Sequence, residues 1–263
     1  MRERAVGGGS ASDVAGGIIV TLTPWKAAIA LAATCLAILT IAPDQVLAQA
    51  KRKAVLLSIN DVYQIEGLDD GRTGGMARVR ALRAELERSD PELLFLHAGD
   101  FLSPSFLGRT YAGAQMIDIM NVMDGNPRTG AFDERMFVTF GNHEFDASHC
   151  GRDGPLEKLV GASEFSWITS NLDFTRCDKL KGLAGHARIA PHRIVESGGL
   201  KIGILAVTLA YPEYAAIVQD PVATACGKIE ELRSKGADVV VALTHQGYRA
   251  DLSLLGLGPD GKP

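Results

Sequence analysis

Four short apolar runs in this sequence each stop at residues able to bind a metal ion. Residues 136–140 run into Gly141-Asn142-His143-Glu144 and residues 54–59 into Asn60-Asp61. Residues 93–96 run into His97-Ala98-Gly99-Asp100, and 239–243 into Thr244-His245. These are carboxylate, amide and imidazole donors without a thiolate, a mixture that suits Zn²⁺, Mn²⁺, Fe²⁺ or Co²⁺. Two divalent ions about 3.5–4 Å apart can clamp an in-line phosphoryl displacement, activating a water and stabilising both apical oxygens. Such a site needs a carboxylate to bridge the ions. An imidazole outside the metal shell can then protonate the leaving oxygen. His143, with Asp146 three residues on to orient it, has the make-up for that task.

These side chains can converge only if the apolar runs are strands of a common architecture. In open α/β sheets, ligands sit in the crevice beyond the carboxyl ends of the strands. Between the runs the spacing predicts helices. Gly74 and Gly75 open one with Met76, Val79, Leu82 and Leu86 on a single face, ended by Ser89-Asp90-Pro91. Met116, Ile119, Met120 and Met123 mark a second, with the methionines read as core packing. Residues 155–160 predict a short helix and 167–172 a fourth strand. Residues 193–196 and 201–209 predict a hairpin through Ser197-Gly198-Gly199. Val222, Cys226, Ile229 and Leu232 mark another helix face, which assigns Cys226 to the core, and 252–257 begin a last amphipathic pattern. Strands alternating with helices imply βαβ units and a largely parallel sheet, made mixed by the hairpin.

The bulk numbers permit this. The chain has 263 residues, 46% of them hydrophobic, enough to bury a sizeable core. A formal charge of −4 argues against a nucleic-acid partner, which calls for a basic face. Small anionic substrates stay open, because a local metal site outweighs a mild overall charge. Residues 1–50 stand apart: Lys26 precedes the apolar segment 27–42, Pro43-Asp44 breaks it, and small residues around Ala48 and Ala50 offer a cleavage site. That is the layout of a secretory signal peptide behind a Gly-rich, disordered tail, and it predicts an exported, periplasmic or extracellular protein. The alternative is an uncleaved anchor, for which the segment is short; no stable membrane insertion is expected after cleavage. Cys150 and Cys177 lie in polar loop sequence and can pair in an oxidising compartment.

Ile59-Asn60-Asp61, Ala98-Gly99-Asp100, Gly141-Asn142-His143-Glu144-Phe145-Asp146 and Thr244-His245 resemble, in order, the motifs of calcineurin-like metallophosphoesterases. The likeness is greatest to the exported 5′-nucleotidase branch, whose motifs read D-x-H, G-D, G-N-H-E and H, followed by G-H-x-H. Gly74-Gly75-Met76-Ala77-Arg78 and the strand carrying Asn171 resemble that branch too. The resemblance implies an α/β sandwich of mixed β-sheets flanked by helices, incomplete at the C-terminus, over residues 51–263. It implies two divalent metal ions and hydrolysis of a phosphate monoester, a nucleotide above all, in nucleotide catabolism. It assigns Asp61 to the first metal, Asp100 to the bridge, Asn142 and His245 to the second metal, and His143 with Asp146 to catalysis. Tyr63 stands where the family has its first His ligand, as either a ligand neighbour or a structural residue. No G-H-x-H follows His245, so the alternative expectation is a truncated, catalytically inactive fragment with weak metal binding.

Plainer readings apply to single residues. Asp61 alone could be a turn aspartate, and His245 a satisfied core histidine. Glu144 reads as structural, bonding the backbone of its own turn, and His97 as buried behind the site. His149, His186 and His192 read as surface residues, and Arg78 as a phosphate contact or a snorkelling helix side chain. Rival enzymes fail on spacing. After His143-Glu144 the next histidine is His149, about 240° around a helix and off the face a zinc peptidase needs. There is no G-x-S-x-G elbow and no G-x-G-x-x-G after the first strand.

Overall fold

A computed structural model describes residues 52–126 and 130–258. The signal segment expected at 1–50 lies outside the described residues. In chain order the strands are β1 (Leu56–Ile59), β2 (Leu94–His97), β3 (Asp133–Val138), β4 (Phe165–Ile168), β5 (Ile189–Ala190), β6 (Arg193–Ser197), β7 (Leu200–Thr208) and β8 (Val239–His245). The helices are α1 (Met76–Ser89), α2 (Phe106–Tyr111), α3 (Ala114–Met120), α4 (Leu156–Ala162), α5 (Pro221–Ser234) and α6 (Tyr248–Leu254). Strands β1 to β5 form one sheet in sequential order, every pair parallel. Strands β6, β7 and β8 form a second, with β6 antiparallel and β8 parallel to β7.

Period-two alternation stacks the sheets into layers. On β2, Leu94 and Leu96 point toward the second sheet, where they pack with Ile202, Ile204, Ala206 and Leu243. Phe95 points the other way, into a core shared with Met136, Trp167 and the helix residues Met76, Met116, Met120 and Leu156. On β7, Leu205 and Val207 meet Ala225 and Leu232 of α5. The result is helices, sheet, sheet, helix, with two sheet faces buried against each other. The methionine stripe is core packing, as its spacing predicts. Cys150 and Cys177 are bridged, their Cα atoms 5.4 Å apart.

Three details depart from the sequence pattern. On α1, Leu82 is exposed and Arg83 is buried in its stead, because its guanidinium meets Glu87 at 2.7 Å and Asp133 at 2.6 Å. On α5, Val222 and Cys226 are exposed and the buried line is Ala225 and Leu232, with Ile229 beside them. The close approach of Leu232 to Gly203 of β7 sets that rotation: a Cβ on Gly203 would lie 3.1 Å from the leucine side chain. The fourth strand ends at Ile168 rather than 172, since from Ser170 on the residues bond across to the second sheet. Ser170 N–H donates to Ala206 O at 2.8 Å, and the Asn171 amide donates to Thr208 O at 2.8 Å.

Candidate metal centre

The sheets share one edge at the carboxyl ends of β1, β2, β3, β7 and β8. Register aligns Ile59 with His97, His97 with Val138, and Thr208 with His245. The Thr208 hydroxyl donates to Phe140 O at 2.6 Å, fastening the end of the second sheet to the end of β3. Two turns then interlock. Gly99 has φ +89°, and a Cβ there would sit 2.5 Å from Gly141 N, so glycine is needed for both the conformation and the approach. Asp61 and Asp100 also adopt positive φ, +52° and +62°, a region that aspartate tolerates better than most residues.

Glu144 clasps the turns together. Its carboxylate accepts from Gly141 N–H in its own turn, and from Asp100 and Phe101 N–H at 2.8 Å each and Leu102 N–H at 3.3 Å in the other. The expectation of bonds within its own turn was too local: a buried carboxylate has enough lone pairs to serve the backbone of two loops. Burial and the nearby Asp100 charge push its carboxyl up, against the pull of those donors. His97 is fully buried; its Nδ1 accepts from Gly99 N–H at 3.1 Å, and burial pushes it down to about 3, so the ring is neutral.

The interlock brings together the side chains singled out by spacing. Asp61, Asp100 and His245 each offer a ligand atom, all within 4.8 Å of one another. His245 Nε2 lies 3.3 Å from Asp100 Oδ2 and 3.2 Å from Asn142 Oδ1, while Nδ1 is 2.7 Å from Ala98 O. A proton on Nδ1, donated to that carbonyl, leaves Nε2 directed at the cluster, an orientation typical of metal-ligating histidines. Burial alone would lower the His245 pKa, but the hydrogen bond and charge of Asp100 outweigh it and raise it to about 9. Asp100 is raised by burial and lowered more by His245 and by the His143 N–H at 2.8 Å, for a net depression. The donor set, two carboxylates, an amide oxygen and an imidazole, fits a divalent cation.

Beside this cluster, His143 Nδ1 is 3.0 Å from Asp146 Oδ2, and Nε2 is 4.0 Å from Asp100 Oδ2. The Ser103 hydroxyl donates to the same Asp146 oxygen at 2.7 Å. A cleft of about 360 Å³ opens here, lined by Ser103, His143, Asp146, Arg109 and Arg152. Tyr63 reaches in from the β1 loop, its hydroxyl 3.1 Å from both Asp61 Oδ1 and Asp100 Oδ2. Burial and those two carboxylates drive its pKa far up, so the phenol stays protonated.

Other candidates serve the scaffold. Arg78 donates to the carbonyls of Gly74, at 2.6 Å, and of Gly71, holding the glycine-rich loop. His149, His186 and His192 are half-buried at the surface. His149 Nδ1 and His186 Nδ1 accept backbone N–H groups, and His192 lies 3.5 Å from Glu231. Ser103 and Thr208 were missed from spacing, because each acts on a partner more than forty residues away and leaves no local pattern.

The family model for calcineurin-like phosphoesterases matches residues 55–258. The chain is 24% identical to mouse 5′-nucleotidase over 215 residues, covering 74% of this chain and 34% of that protein. Human 5′-nucleotidase is 26% identical over 187 residues, covering 68% of this chain and 29% of that protein. The chain thus spans about a third of the length of the curated relatives it matches. Among solved structures, a 5′-nucleotidase precursor from Thermus thermophilus superimposes with a TM-score of 0.60 at 29% identity, over 76% of this chain and 38% of that one.

Proposed function

The chain belongs to the calcineurin-like phosphoesterase family, and on that footing we propose that it hydrolyses phosphate monoesters, nucleotides foremost, with two divalent metal ions. The single observation that carries this reading is the convergence of Asp61, Asp100 and His245 within 4.8 Å, with Asn142 against His245 and His143 beside Asp100. On this reading Asp61 would hold one ion, Asn142 and His245 the other, and Asp100 would serve both. When bound, the ions supply Lewis acidity that activates water and neutralises phosphoryl charge.

The remaining chemistry falls to the chain's own groups. His143 gives a proton to the leaving oxygen. Asp146 accepts from Nδ1 and thereby fixes which nitrogen faces the substrate, and the Ser103 hydroxyl holds that carboxylate in turn. The His143 side chain is 33% exposed, so it can reach a ligand in the cleft beside it. Residues 51–263 would form the catalytic domain and 1–50 an export segment. The Cys150–Cys177 bridge favours an oxidising compartment, periplasmic or extracellular. No helix among the described residues is long and apolar enough to cross a membrane.

Release of inorganic phosphate from AMP, a monoester, and of p-nitrophenol from bis(p-nitrophenyl) phosphate, a diester, with the full chain and added Mn²⁺, tests this. The expected outcome is release from the monoester, falling about 10²–10⁴-fold in His143→Ala. No release above that variant from either compound would overturn the reading.

A further inference from the structure

The two sides of the Asp100 carboxylate are not equivalent binding positions. On one side stand Asn142 Oδ1 and His245 Nε2, 3.2 Å apart, with the imidazole 3.3 Å from Asp100 Oδ2. Each of these groups is already aimed. His245 is anchored through Nδ1 to Ala98 O, and Asp100 Oδ1 accepts the His143 N–H at 2.8 Å. A cation arriving here displaces the proton between His245 and Asp100 but finds a carboxylate, an amide oxygen and an imidazole already oriented, and pays little to order them.

On the other side the donors are already engaged with their own loop. Asp61 is exposed; one of its oxygens accepts from the Asn60 amide and the other from the Tyr63 hydroxyl. That hydroxyl lies equally close, 3.1 Å, to Asp100 Oδ2. Its single proton can serve only one carboxylate at a time, so it stands between the two as a shared donor. A neutral phenol oxygen is a poor substitute for an imidazole or carboxylate as a cation ligand. No second imidazole joins Asp61, Asp100 and His245 in the cluster among the described residues.

We infer that this centre loads its two ions unequally: the Asp100–Asn142–His245 position binds a divalent cation first and tightly, and the Asp61 position binds weakly because the Tyr63 hydroxyl occupies the space between the two aspartates. This rests on the metal-dependent reading above, and it makes Tyr63 the residue that sets how much of the chain is singly loaded at a given metal concentration. The phenol has to swing away from both carboxylates before the second ion can enter.

Mn²⁺ binding to the full chain, followed by equilibrium dialysis and by electron paramagnetic resonance, decides the matter without any turnover. An isolated Mn²⁺ gives a six-line spectrum, whereas a bridged pair is exchange-coupled and gives a different one. With one equivalent added, the expected spectrum is that of isolated ions, the coupled signal appearing only in excess Mn²⁺. Tyr63→His is expected to tighten the weaker step by about tenfold and to leave the stronger within about twofold. Two steps of equal affinity in the unaltered chain, or a coupled signal from the first equivalent, would overturn the inference while leaving the proposed function standing. A Tyr63→His chain that tightens both steps alike would overturn it too. No Mn²⁺ bound at any concentration would instead remove the metal-dependent reading itself. The unaltered chain's titration is sufficient even if the variant folds poorly.

Discussion

Asp100, Asn142 and His245 stand on turns that bond to one another, whereas the Asp61 carboxylate and the Tyr63 hydroxyl bond only within their own loop and to Asp100. On the first side, Glu144 takes backbone donors from two turns, Gly99 packs on Gly141, and the His143 N–H holds Asp100. On the second, Asp61 is tied by one backbone bond, from its N–H to Gly99 O at 3.1 Å, and is otherwise held by Asn60 and Tyr63. Two aspartates in similar left-handed turns therefore have unlike standing. What separates them is the number of groups behind them that are buried and bonded, since supporting hydrogen bonds are what fix a ligand's orientation.

The largest effect should come from deleting each carboxylate in turn. Asp100→Ala is expected to lower Mn²⁺ affinity by more than about 100-fold at the first step, read by dialysis. Asp61→Ala should leave that first step nearly unchanged and remove the second. Equal losses from the two substitutions would break the contrast between the sides.

A smaller but still large effect is expected behind the proposed ligands. Glu144→Gln puts an NH₂ donor where two turns present N–H donors, and leaving such groups unsatisfied costs about 2 kcal/mol. The urea midpoint of the metal-free chain should fall accordingly. An unchanged midpoint would mean that the clasp contributes little and that the glycine contact and the His143 N–H bond to Asp100 join the turns.

The mildest test uses pH. His245 has its folded pKa raised to about 9, above the roughly 6.5 of an unfolded histidine. Its stabilising contact with Asp100 in the metal-free chain is thus fully present below about 6.5 and is lost as pH rises through about 9. A cation must displace that proton, so first-step Mn²⁺ affinity should rise about tenfold per pH unit between roughly 6.5 and 8.5. A flat profile would show that the imidazole is not the group the ion displaces.

Much of the site was legible before any coordinates. Asp61, Asp100, Asn142, His143 and His245 each follow an apolar run, and strand ends of α/β folds are where such residues gather. His143 and Asp146 are three residues apart and meet on a short helical turn, a distance that spacing alone can judge. Glu144 was misjudged because its main partners lie more than forty residues away. The faces of α1 and α5 were misread in part for a similar reason. A helix's periodicity says that one stripe is apolar, but the partner beneath chooses the stripe: Asp133 draws Arg83 inward, and Gly203 admits Leu232.

By itself the amino-acid order determined the alternation of strands and helices, the strand-end positions of the metal-type residues and the His143–Asp146 pair. All of these depend on residues within one or two turns of each other, where backbone geometry leaves few options. Only the tertiary structure decided that Glu144 joins two loops, that Ser103 stands behind Asp146, and that Tyr63 lies midway between two aspartates rather than beside one. Those are meetings of distant segments, set by how two sheets stack and which backbones can approach, and no local spacing encodes them.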